Sequence, residues 1–449
     1  MCGVFGIFGH PRAALLAYFA TSAIQNRGLD SAGLVAFPEK GVYAVRKPGL
    51  ITEIVSRDTL NDFSGNVALT HVRYRTQGIL CEEDIQPLVR IRKGLRYAYA
   101  HNGNLTNAHE LRIRLEDEGS IFDGTADTEV LPHLISRAPK GPIESKLISA
   151  LSQVSGSYSL LIASRDVMIA ARDPYGVRPL LMGQKDGATI FTSESCAFQP
   201  IGAVFVREVE PGEIIIVDRD GCRSIFPFPR PQFYGHCIFE LIYFMFISST
   251  NVFGGFDIRD FRRRLGMKLA QRYSGEADCV IPIPHSGIGA SIGFADASGI
   301  PYDIGFAANN TAGRTFIQPA QADRELLADL KLFPILSALT GKRVVLIEDS
   351  VVRGTIFEKL RREMPACEVA DFDLLISSPP VRYPCHLGIY IPTSSELIYN
   401  SLTVEEMRRI SGARQVLYQT IEDLRAVIGS SWQNFCFGCM TGEYPIPPP

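Results

Sequence analysis

Three prolines within five residues, Pro227, Pro229 and Pro231, set the strongest limit on how this chain can fold. Each removes a backbone N–H and fixes φ, so Ile225 to Gly235 cannot be a central strand or a helix. The stretch reads as a linker. At 449 residues the chain is too long for one ordinary core. The linker divides it into a domain over 2–230 and a second over 231–449.

The two sides differ in grammar. Before the linker, short β-branched or aromatic runs bounded by Gly and Pro predict strands: VFGIFG, GLVAF, GVYAV, NVALTHVRY, LRYAYAHNG, YSLLIAS, VMIAARD and EIIIVD. Helical spacing marks RAALLAYFATSAIQNRG, NAHELRIRLEDEG and DTEVLPHLISRA, the last opened by Asp127 in an N-cap-like position. Beyond the linker, ADCVIPIP is followed by SGIGASIGFADASG, KRVVLIED by VVRGTIFEKLRREMP, and then EVADFDLLIS. That alternation predicts a parallel α/β sheet. From about Ser395, amphipathic helices lead into a Cys-rich tail. The strongest apolar stretch, Cys237 to Ile247, carries Glu240 and falls well short of the ~20 residues a membrane span needs, so it predicts a buried core segment.

Composition removes several function classes. The 45 Lys and Arg against 48 Asp and Glu leave a net charge of -3, which argues against a wholesale nucleic-acid binder or a polybasic membrane protein. Ten cysteines are too sparse for a disulfide scaffold, and no secretory leader is read before them. Cytosolic thiols, metal ligands or catalytic cysteines are the readings left.

One of those cysteines is Cys2. Removal of Met1 would give it a free α-amine (pKa ~8) beside its thiol (~8.5), so the residue would hold nucleophile and general base together. On the dipeptide alone, a chance cysteine is the better reading. The motifs that follow reverse this. Cys2-Gly3-Val4-Phe5-Gly6 precedes Gln25-Asn26-Arg27-Gly28, Asp30-Ser31-Ala32-Gly33, His71-Val72-Arg73-Tyr74 with Thr76, Ala100-His101-Asn102-Gly103-Asn104-Leu105, Ala126-Asp127-Thr128-Glu129 and Arg172-Asp173-Pro174-Tyr175-Gly176-Val177-Arg178-Pro179-Leu180.

In order, spacing and content this series resembles the glutamine amidotransferases of the N-terminal nucleophile class. The resemblance implies an α+β domain, a four-layer αββα sandwich. It implies that Cys2 attacks the glutamine amide, giving a γ-glutamyl thioester and ammonia. The Asn102 amide and the Gly103 N–H would form the oxyanion hole. Arg73 would pair with the glutamine α-carboxylate and Asp127 would hold its α-ammonium. Arg27 and Gly28 match the motif beside the nucleophile, as a positioning element.

The second half carries a strand, Val344-Val345-Leu346-Ile347, that ends in Glu348 and Asp349, then the loop Ser350-Val351-Val352-Arg353-Gly354-Thr355 opening a helix. Loop N–H groups and a helix N-terminus make a phosphate cradle at the carboxyl end of a parallel strand, and the acids can bind ribose hydroxyls. An ordinary acidic strand–turn–helix satisfies the same physics. The segment resembles the phosphoribosyl pyrophosphate (PRPP) motif of type I phosphoribosyltransferases, whose first acid is more often Asp than Glu. Pro282-Ile283-Pro284 with Ser286-Gly287, Gly299-Ile300-Pro301-Tyr302, Gly313-Arg314-Thr315-Phe316-Ile317, and Ser378-Pro379-Pro380 with Cys385 extend the match. Downstream of a glutaminase, this is similar to the glutamine phosphoribosylpyrophosphate amidotransferase family.

That likeness implies glutamine and PRPP as substrates, Mg²⁺ at Ser286, Glu348 and Asp349, purine nucleotide effectors and a cytoplasmic homo-oligomer. Departures stand beside it. An Arg-Pro-Asp-Ser run becomes Ile247-Ser248-Ser249-Thr250 after Phe246, and His285 replaces an Asp. A Lys-Asn-Arg-Tyr run becomes Ala308-Asn309-Asn310-Thr311, losing two cations, while Arg314, Lys331 and Arg353 remain. Each lost charge-assisted contact would cost about 1.5–3 kcal/mol. A glutaminase feeding another phosphorylated acceptor, or a non-catalytic nucleotide-binding regulator, are the alternatives these changes leave.

Cys436-Phe437-Gly438-Cys439 has the spacing of a redox pair but no thioredoxin-like surroundings. By the same resemblance, Cys237 and Cys385 stand where cluster-containing members supply two further ligands. Four thiolates suit a [4Fe–4S] cluster and equally structural zinc, and the preference for iron–sulfur rests on the resemblance. Cys81, Cys196, Cys222, Cys279 and Cys367 belong to no motif and are expected as core or surface thiols.

Overall fold

The computed structural model describes residues 2–74, 81–92, 95–308, 332–391 and 393–448. Thr76, Asn309, Asn310, Thr311, the run 313–317 and Lys331 lie outside the described residues.

In the first half, strands β1 (Gly3–Phe8), β2 (Ser31–Ala36), β3 (Tyr43–Pro48), β4 (Val67–Arg73), β5 (Leu88–Arg92), β6 (Leu95–Leu105), β7 (Gly156–Ala163), β8 (Val167–Arg172), β9 (Leu181–Lys185), β10 (Ala188–Thr192), β11 (Val204–Glu208), β12 (Ile214–Asp218) and β13 (Gly221–Ile225) build two antiparallel sheets. Their orders are β11-β9-β10-β1-β4-β2-β3 and β13-β12-β8-β7-β6-β5. Val4, Leu69, Leu161, Met168, Phe191 and Ile215 fill the space between the sheets. Helix α1 (Ala13–Ala23) packs on one outer face through Ala13, Ala17 and Ala20. Helices α2 (Ala108–Asp117), α3 (Val130–Arg137) and α4 (Ile143–Leu151) cover the other through Leu111, Leu134 and Leu147. This is the αββα sandwich that the motifs imply.

Eight strands answer the expected runs, and β5, β9, β10, β11 and β13 are additional to them. β9 (LMGQK) and β13 (GCRSI) lack a β-branched run, and β11 leaves Val204 and Val206 exposed. Their neighbours in the sheet impose the extended state, which is how context overrides local propensity. Asp127 is not a cap: Ala126 occupies that position, and Asp127 begins a short 3₁₀ turn over Asp127–Glu129. Its carboxylate is taken by the Leu105 and Thr128 N–H groups, both at 2.8 Å.

β13 ends at Ile225, and the next element is β14 (His236–Cys237). Helix α5 (Ile258–Arg272), β15 (Cys279–Pro282), α6 (Ile288–Ser298), β16 (Phe306–Ala308), β17 (Leu332–Pro334), β18 (Arg343–Glu348), α7 (Thr355–Ala366), β19 (Asp371–Ile376), β20 (Gln415–Tyr418), α8 (Ile421–Ile428) and β21 (Phe435–Cys436) follow. β15, β18, β19 and β20 form the expected parallel sheet. The last stretch is mainly helical, as expected, and β20 is an addition to it; four residues at a sheet edge give no periodic signal.

The apolar stretch from Cys237 is only partly core. Ile238 to Ile242 and Met245 are buried, but Tyr243 and Phe246 are exposed. Glu240–Phe244 coils as a π-helical turn, closed by the Met245 N–H on the Glu240 carbonyl at 3.0 Å. The wide turn rotates alternate rings outward and sends Glu240 inward. Among the described residues no helix is long and apolar enough to cross a membrane.

Candidate active site

Cys2 stands just before β1, one residue from the Gly3–Val72 register position, which brings it beside Arg73 and Tyr74 at the end of β4. Its thiol points toward the Tyr74 carbonyl, 3.8 Å away. Cys2, Arg73, Tyr74, His101, Gly103 and Asp127 all line one cleft of about 180 Å³. Residues spread over more than a hundred positions thus meet where the ends of the two sheets converge.

Arg27 fixes the nucleophile from beneath. It is fully buried, and its Nε donates to the Cys2 carbonyl at 2.9 Å. Its two terminal nitrogens reach the buried carboxylates of Glu194 and Glu240, each at 2.8 Å. Burial alone would lower the pKa of this guanidinium, but the charges of Glu240 and Glu194 outweigh it and hold the pKa above the ordinary value. Gly28 is required by space: a Cβ there would stand 2.5 Å from the Arg73 carbonyl carbon.

The proposed oxyanion donors lie on β6. Asn102 is 1% exposed, and its Nδ2 has no hydrogen-bond partner among the described residues. A buried donor left unpaired costs about 1–3 kcal/mol unless something comes to accept from it. Gly103 next to it has φ +156, and a Cβ would meet the Ser157 carbonyl oxygen at 2.0 Å. Arg73 donates to the Asp84 carbonyl at 2.8 Å, and Asp84 is itself gripped by Thr125 and Ala126 N–H groups. Burial, and next the Arg73 charge, push His71 down to about 3, so a neutral ring donates Nε2–H to the His101 carbonyl at 3.1 Å.

At the other site, Glu348 ends β18 and Asp349 begins the loop, as the motif implies. Ser286 and Ser350 both donate to the Asp349 carboxylate. Burial and the adjacent Asp349 charge raise Glu348 well above the usual carboxylate range. Gly354 has φ +78 and turns the loop into α7 at Thr355. Val351 is buried among the core residues under the sheet, Val352 packs against the separate cluster shared by the two halves, and Arg353 is half exposed and paired with Glu396 at 3.0 Å. His285 has partners of its own beside Ser286.

The departing run after Phe246 meets the first half rather than the PRPP loop. Phe246 N–H and Ser249 Oγ donate to Glu194 Oε2 at 2.7 and 2.8 Å, and Thr250 N–H donates to Ser195 Oγ at 2.7 Å. Arg262 of α5 closes the same region, donating to the Leu241 and Met245 carbonyls at 2.9 and 2.8 Å. Burial draws Arg262 down to about 10 against the opposing pull of Asp349 and Glu194.

Cys237 and Cys436 stand opposite each other in the parallel β14–β21 pair. All four motif cysteines are free thiols, and burial pushes the Cys237, Cys436 and Cys439 thiols up. Burial first, opposed by Arg178, pushes Cys237 up to about 11. Among the described residues no three His, Cys, Asp or Glu side chains converge closely enough to hold a single metal ion. Cys81, Cys196, Cys222, Cys279 and Cys367 are free, Cys222 on the surface and the others buried or half-buried.

Fold and site define a glutamine amidotransferase joined to an α/β phosphoribosyltransferase-type domain. Residues 71–200 match the glutamine amidotransferase domain. The Bacillus subtilis amidophosphoribosyltransferase is 40% identical over 449 residues, covering 99% of this chain and 94% of that protein. Amidophosphoribosyltransferase 1, chloroplastic, of Arabidopsis thaliana is 40% identical over 451 residues, covering 100% of this chain and 79% of that one. The solved structure of the B. subtilis glutamine PRPP amidotransferase, complexed with ADP and GMP, superposes with a TM-score of 0.92 at 40% identity, covering 99% of this chain and 98% of that one. The chain belongs to the amidophosphoribosyltransferase family.

Sequence motifs missed Glu194, Glu240 and Asp84, and gave no role to Arg178, whose buried guanidinium stands 3.6 Å from Glu240. Glu240 left one trace, a carboxylate inside an apolar run, which is costly unless a cation meets it. Replacing Arg27 by Met takes the cation from buried Glu194 and leaves Glu240 with Arg178 at 3.6 Å, and is expected to cost about 3–5 kcal/mol. Thermal unfolding of the variant checks this against an unchanged midpoint.

Proposed function

We propose that this protein converts glutamine, PRPP and water into 5-phosphoribosylamine, glutamate and pyrophosphate, the first committed step of purine synthesis. The observation that carries the reading is a buried, unpartnered Asn102 amide between two residues of the cleft that also holds the Cys2 thiol. With Met1 removed, the Cys2 α-amine accepts the thiol proton, and Sγ adds to the glutamine amide carbon. Asn102 Nδ2 and Gly103 N–H receive the developing negative charge. Collapse expels ammonia and leaves a thioester that water cleaves to glutamate. Arg73 and Asp127 hold the two ends of the amino-acid backbone, and Arg27 with Gly28 keeps the nucleophile in place.

Ammonia then displaces pyrophosphate at C1 of PRPP, whose phosphate rests on the loop Ser350 to Thr355. Ser286, Glu348 and Asp349 offer hard oxygens to Mg²⁺, which supplies charge neutralisation on the pyrophosphate when bound. Cys237, Cys385, Cys436 and Cys439 are the thiols that would hold a structural [4Fe–4S] cluster. The preference for a cluster over one zinc ion rests on the likeness to cluster-containing members of the family. Ten free thiols favour a reducing, cytoplasmic compartment. The complex of the B. subtilis relative with ADP and GMP supports purine nucleotides as effectors, and the likeness to the family supports a homo-oligomeric active form.

Purified protein should release pyrophosphate only when glutamine or ammonia accompanies PRPP, and Cys2→Ala should abolish the glutamine-supported part alone. Glutamate without pyrophosphate would contradict the assigned acceptor. Metal analysis of protein purified without oxygen should return about four iron and four sulfide per chain; about one zinc would reassign the thiols.

A further inference from the structure

A short stretch of the second half lies directly against the oxyanion strand of the first. Gly388, three residues past Cys385, has φ +99, and a Cβ there would stand 3.0 Å from the Gly103 carbonyl carbon and oxygen. The two residues before it are held by side chains of the first half. Asn104 Nδ2 donates to the His386 carbonyl at 3.0 Å. Ser157 Oγ donates to the Leu387 carbonyl at 2.9 Å, as does the Arg178 guanidinium, and accepts the Asn104 N–H at 3.3 Å. The C-terminal tail secures the far end: Tyr444 OH donates to the Pro384 carbonyl at 2.5 Å, and His386 Nε2 donates to the Ile446 carbonyl at 2.8 Å.

We propose that Pro384–Gly388 is the positioning element of the oxyanion hole, fixing the backbone of Gly103 and Asn104 so that the donors of residues 102 and 103 stay aimed into the cleft. The inference rests on the assignment of those donors. It follows from what a glycine is: Gly103 has no side chain with which to anchor itself, so its placement must come from neighbours. An oxyanion donor works only when placed to within about 0.5 Å. Gly388 does not line the cleft and touches no substrate, yet any side chain there would press on Gly103. Cys385 belongs to the same stretch, so an occupant of the four thiols would stiffen it, and the second half would thereby set the rate of the first.

The test uses the full-length protein with its metal complement, comparing Gly388→Ala, Ser157→Ala and Asn102→Ala with the unaltered chain. Glutamate release, ammonia-supported pyrophosphate release and the rate at which an electrophilic glutamine analogue labels Cys2 are measured for each. Gly388→Ala should lower kcat for glutamate release by about tenfold or more. KM for glutamine should stay within about twofold, and labelling should slow in parallel with kcat. Ammonia-supported pyrophosphate release should not change. Ser157→Ala, which removes one hydroxyl and adds no bulk, should move the same values in the same direction by less. Unchanged kcat in both variants, or a parallel fall of both half-reactions, overturns the proposal. If Asn102→Ala releases glutamate normally, the oxyanion assignment itself fails; if it is slow while Gly388→Ala is normal, only the positioning role fails.

Discussion

One guanidinium holds the enzyme's two halves to the same point. Arg27, fully buried, reaches the Cys2 carbonyl, a carboxylate from the first half and a carboxylate from the second. Two buried carboxylates repel each other and lose their hydration, and only a cation in contact with both offsets those costs. The arrangement is therefore stable as a set and costly in pieces. Glu240 enters it from the second half, on a π-helical turn whose carbonyls Arg262 secures. Glu194 completes it, with Phe246 and Ser249 donating to its other oxygen.

This geometry gives a physical reason for the order of the two chemistries. Arg262, which secures the turn that carries Glu240, lies within electrostatic reach of Glu194 in the first half and Asp349 in the second. Buried charges couple over such distances far more strongly than exposed ones. A glutaminase that liberated ammonia without its acceptor would waste it to solvent.

Much of this was readable from the chain, and what was not has definite causes. Strands such as VFGIFG and KRVVLIED were plain because a buried strand concentrates β-branched and aromatic residues. β9, β13 and β20 were hidden because their extended state comes from neighbours, not from their own residues. Cys2, Asn102, Gly103 and Asp127 were identifiable because their spacing follows a known motif. Glu194 and Glu240 were not, since a buried ion pair between residues far apart leaves no local pattern. The changed run Ile247-Ser248-Ser249-Thr250 looked like damage to the PRPP site; in three dimensions Ser249 and Thr250 bind Glu194 and Ser195.

The central claim is that the two halves work as one enzyme, with ammonia kept inside it. Glutamine labelled with ¹⁵N in its amide, supplied with PRPP in a large excess of unlabelled ammonium, tests this most directly. The account predicts phosphoribosylamine that carries the glutamine label well above the level of the bulk ammonium. A product labelled only to the extent of the ammonium pool would contradict it.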